Sequence, residues 1–182
     1  MPKTRKAVFG GIAAAVIATA WIGCGDDESS DDADGATHSL ERADQAIEDA
    51  DLIVEDADRT IENAPREGSG SILGQADKAI EDADAGVEEA DSAVEEALEF
   101  ALDDELEDAD TAIEDADAAV EDADAAVEEA DQLVEQALKG AKQDYQFEEF
   151  ALADQAVEDA DALVENADRA IEDADAAVEA GL

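Results

Sequence analysis

Ile113-Glu-Asp-Ala-Asp-Ala-Ala119, Val120-Glu-Asp-Ala-Asp-Ala-Ala126 and Val127-Glu-Glu-Ala-Asp-Gln-Leu133 are three successive copies of one seven-residue phrase. The phrase runs with few lapses from about Ala43 to Val178 and recurs at Ile47, Val54, Ile80, Val157 and Ile171. Apolar residues three and four apart, at a strict period of seven, are the signature of packed α-helices. In heptad letters, Ile or Val takes position a, as at Ile47, Ile113, Val120 and Val164. Alanine takes position d, from Ala43 and Ala50 to Ala167 and Ala174, and most of position g, as at Ala79, Ala119 and Ala177. Small d and g residues let helix backbones approach closely, with the β-branched a residues as knobs. The pattern is an alanine zipper.

Four blocks open on the same words, at Ala43, Ala76, Ala109 and Ala153, at intervals of 33, 33 and 44 residues. Thirty-three is not a multiple of seven, so the register resets between blocks and one continuous coiled coil is disfavoured. Pro65-Arg-Glu-Gly-Ser-Gly70 stops the first helix. Lys139-Gly140 reads as a last-turn cation and a C′ glycine for the third, and Asp144 as a cap for the fourth. Between the second and third helices, Asp104 and Glu107 suit a capping box. The expected fold is all-α: an antiparallel alanine-zipper bundle of about four heptad-repeat helices, with long kinked coiled-coil helices as the alternative. Expected spans are about 40–64, 76–102, 105–139 and 145–180 within a bundle covering 40–182. Leu98, Phe100, Leu102, Tyr145, Phe147 and Phe150 lie near the connections and are expected to plug the ends.

Position e is almost always Asp and position b almost always Glu. In the third helix this makes a ladder of Asp110, Glu114, Asp117, Glu121, Asp124, Glu128, Asp131 and Glu135. The fourth repeats it from Asp154 to Glu179. Like charges at i,i+4 repel. The chain holds 55 acids against 10 bases, a formal charge of −45. That charge opposes nucleic acid and anionic lipid surfaces and favours cations, a basic protein partner or simple solubility. Only 3% of residues are aromatic, and much of the 46% hydrophobic fraction is alanine, so the core is thin. A thin core beside strong repulsion predicts a fold that leans on screening salt, divalent cations or homo-oligomerisation. The acid excess also suits a protein exported into high salt.

Hard cations such as Ca²⁺ and Mg²⁺ need six or more converging oxygens. A ladder on one helix does not supply them, so no specific metal site is expected, only weak and diffuse Ca²⁺ or Mg²⁺ binding along Asp110 to Glu135. His38, the one histidine, is expected to be solvated. Nucleophile–base pairs, phosphate loops and zinc spacings are not evident, so the reading is non-enzymatic and without a cofactor.

The N-terminus carries a different message. Pro2-Lys-Thr-Arg-Lys6 is a basic n-region, and Ala7 to Ile22 is an apolar run short of the about 20 residues a membrane span needs. It ends in Trp21-Ile22-Gly23-Cys24. This segment resembles the signal and lipobox of bacterial lipoproteins, with Trp21 where that class usually has an aliphatic. The resemblance implies cleavage after residue 23 and lipidation of Cys24. On this reading residues 1–23 are a signal peptide and 24–39 a disordered acidic tether. The protein is exported and anchored to a membrane by lipid, on the periplasmic or cell-surface side. The heptads also resemble alanine-rich four-helix small metal-binding proteins. Those carry histidine where this chain has Asp and Glu, so the resemblance implies the scaffold and not the metal chemistry. The expected role is a structural spacer or interaction module of the cell envelope, the alternative a low-affinity divalent-cation buffer.

Overall fold

A computed structural model describes residues 31–65, 70–103, 105–141 and 144–182, without the side chains of 31–34, 144 and 145. The signal segment and Cys24 lie outside these residues, as do Asp104 of the expected capping box and the side chains of Asp144 and Tyr145. Four α-helices account for nearly all that is described: α1 (Asp31–Asn63), α2 (Gly70–Leu102), α3 (Leu106–Gly140) and α4 (Asp144–Gly181). Each helix packs on two neighbours, α1 on α2 and α4, and α3 on α2 and α4. The order round the bundle is therefore the order along the chain. Neighbouring helices run antiparallel: Asp51 faces Glu88, while Asp58 faces Asp77. The all-α bundle read from the heptads is the fold. The continuous kinked helix is not formed: α2 ends at Leu102 and α3 begins at Leu106, and the Glu105 N–H donates to the Phe100 carbonyl at 2.9 Å.

The heptad register explains the core residue by residue. Positions a and d are buried along all four helices, from Ile47, Val54 and Ile61 on α1 to Val164, Ile171 and Val178 on α4. With alanine at d, the a-position Ile and Val supply most of the apolar area taken from water. At the end where α1 meets α2 and α3 meets α4, a smaller apolar cluster joins Ala64, Leu73, Ala137 and Phe150. These four positions continue the a and d series of the four helices.

The structure corrects the sequence reading in several places. The helix α1 begins at Asp31, inside the segment expected to be a disordered tether. Ala36, Ser39 and Leu40 extend the d, g and a positions by one heptad and are buried, so burial outweighs the polar composition of this stretch. His38 consequently sits on a helix, exposed, with Nδ1 3.6 Å from a Glu41 carboxylate oxygen. Likewise α2 begins at Gly70 rather than about residue 76, since Ile72 and Leu73 reach the end cluster. Gly140 remains helical, and the chain leaves the helix at Ala141, whose N–H donates to the Leu138 carbonyl. No left-handed residue is needed there because Ala141 turns out through an extended conformation, φ −59° and ψ 133°. Finally, not all the end residues plug the bundle. Phe150 is buried and Leu98 and Phe100 pack on the core, but Leu102 and Phe147 are exposed.

Candidate functional site: carboxylate-lined grooves

The eight acids read as a ladder on α3 do not stand alone. Their helix lies against α4 so that the two ladders face each other. Burial, and then Asp161, Glu128, Glu165 and Asp168, raises the Asp124 carboxyl above its ordinary pKa. Burial, and then Asp154, Glu135, Glu158 and Asp161, does the same to Asp131. Near the other end, Asp175 is raised by burial and by Glu179, Asp110, Asp117 and Glu114. Glu128, Asp131, Gln132, Glu158 and Asp161 line an open groove of about 320 Å³. Further along the same seam, Asp117, Glu121, Asp124, Asp168 and Glu172 line another of about 370 Å³.

A second groove lies on the α1/α2 seam, about 590 Å³, lined by Glu48, Asp51, Leu52, Val87, Glu88, Asp91 and Ser92. Here Asp91 is raised by burial and by Glu95, Asp44, Glu48 and Asp51. Acidic grooves thus lie on the α1/α2 and α3/α4 seams, which are opposite in the cyclic order of the helices, and Glu89, Glu96, Asp115 and Asp122 line a further one of about 420 Å³ on α2/α3. Reading one helix at a time hides this juxtaposition. The signal that could have revealed it is the asymmetry of the flanks: in an antiparallel pair, e meets e′ and g meets g′, and here e is Asp while g is small.

Ten aspartates have carboxyl pKa values held above the ordinary range, and all ten stand at position e. The e residues sit at the rim of the core, half out of water, with negative neighbours on their own and the facing helix. Both conditions disfavour ionisation. On Asp154, burial and then Glu135 raise the carboxyl while Lys139 draws it back, and one of its oxygens is enclosed without a hydrogen-bond partner among the described residues. Among the described residues, no basic side chain lines these grooves. Arg59 pairs with Glu55 and Asp56, Lys78 with Asp82, Lys139 with Glu135 and Arg169 with Glu165. These pairs are exposed and lie within single helices, where solvent and salt screen them.

The chain matches no family model, no curated protein and no solved structure. What the site can do is therefore argued from its own chemistry. Among the described residues no group of three or more His, Cys, Asp or Glu side chains converges as metal ligands do. The carboxylates are spread along the seams instead of gathered at a point. Such an arrangement concentrates mobile cations and attracts basic segments through its field. Among the described residues no helix is long and apolar enough to cross a membrane.

The titration of the e-position aspartates has a consequence for stability. Their folded pKa lies above the unfolded value of about 3.9, so the folded chain binds more protons between the two. Stability then falls as pH rises through that window, and the benefit of protonation is fully present below the unfolded value. In low-salt buffer the thermal midpoint is expected to be higher at about pH 4.5 than at about pH 7, and added NaCl should shrink the difference. Melting followed by circular dichroism checks this; a midpoint that climbs with pH would contradict it.

Proposed function

We propose that the protein is a non-enzymatic, lipid-anchored, extracytoplasmic helical bundle that serves as a spacer and interaction module of the cell envelope. The observation that carries this reading is the apolar run ending in Gly23-Cys24, followed within a few residues by a helical bundle that takes up the described chain. A bundle whose α3 spans 35 residues, about 50 Å at 1.5 Å per residue, holds its far end well away from a surface. Its carboxylate exterior repels anionic headgroups and keeps neighbouring copies apart. Expression in a bacterium with labelled fatty acid tests the anchor. Label should enter the wild-type chain and be absent from Cys24→Ser, which should appear in the soluble extracytoplasmic fraction. Equal partition of both proteins into membranes would reject lipid anchoring.

The facing ladders favour a second reading on the same scaffold, low-affinity buffering of divalent cations. Two stripes of carboxylates across a groove offer each ion oxygens from two helices, which a single ladder does not. Equilibrium dialysis against millimolar Ca²⁺ in moderate NaCl separates the readings. Several ions retained per chain would support buffering. Retention no greater than matched ionic strength accounts for would leave the grooves as a basic-partner surface of the spacer.

A further inference from the structure

We draw no further inference here: the strongest candidate, the exposed Leu102 and Leu182 side chains at the end of the bundle where α1 begins, shares that end with exposed Asp103 and Glu105, and nothing in the structure shows what covers it.

Discussion

Phe150→Ala should lower the stability of the bundle by about 3–5 kcal/mol, the range for emptying a buried aromatic site. Phe150 is 1% exposed and is the largest fully buried side chain among the described residues. Its cluster offers little to fill the space, because two of its three buried partners, Ala64 and Ala137, are alanines. Measured against a typical total stability of about 5–15 kcal/mol, the loss should leave the variant unfolded at modest urea. Phe147, three residues earlier on the same helix, is 56% exposed. Phe147→Ala should therefore change stability by no more than about 0.5 kcal/mol. Urea titrations at moderate salt compare the two; similar midpoints would mean that Phe150 does not anchor this end.

Gly86→Leu should cost about 3 kcal/mol or more, through overpacking rather than a cavity. The atoms a side chain would meet include the Ala119 carbonyl oxygen and the Ala123 Cα at 3.1 and 3.3 Å. These are backbone, so they cannot swing aside as a side chain would, and α2 and α3 must separate. Glycine costs a helix interior about 1 kcal/mol relative to alanine, so its presence at a g position needs this close approach to explain it. Gly35 provides the control. It is helical, and a Cβ there would meet nothing within 4 Å. Gly35→Ala should raise stability by about 0.5–1 kcal/mol. Chemical denaturation of the three proteins gives the ordering Gly35→Ala, wild type, Gly86→Leu; a neutral Gly86→Leu would show that the α2/α3 seam is looser than its geometry.

Much of this architecture is legible in the chain because heptad physics is local. A branched residue at a and alanine at d fall on one helical stripe wherever they occur, and that stripe is the one buried on α1 to α4. The exposed pairing of Lys139 with Glu135 and of Arg169 with Glu165 follows from the same spacing. Where the reading failed, composition had been weighed above register. The stretch from Asp31 to Ser39 is rich in Asp, Gly and Ser, yet Ala36 and Leu40 stand in phase with Ala43 and Ile47 and bring it into the helix. At Gly140, residue type suggested a left-handed cap, while the following Ala141 ends the helix by extending.

By itself, then, the sequence determined that the protein is helical, which face of each helix is buried, and that every helix bears the same ladder of Asp and Glu. It did not determine which ladders meet. All four helices carry Asp at e and mostly small residues at g, so the heptads do not distinguish one neighbour from another. The tertiary structure decided it by setting α1 against α2 and α3 against α4 through their e flanks. Only then do carboxylates seven residues apart on single helices become two opposed rows across a groove. The physical reason is range: helix register is a matter of neighbours three and four residues away, whereas repulsion between ladders depends on separations that exist only once the helices have packed.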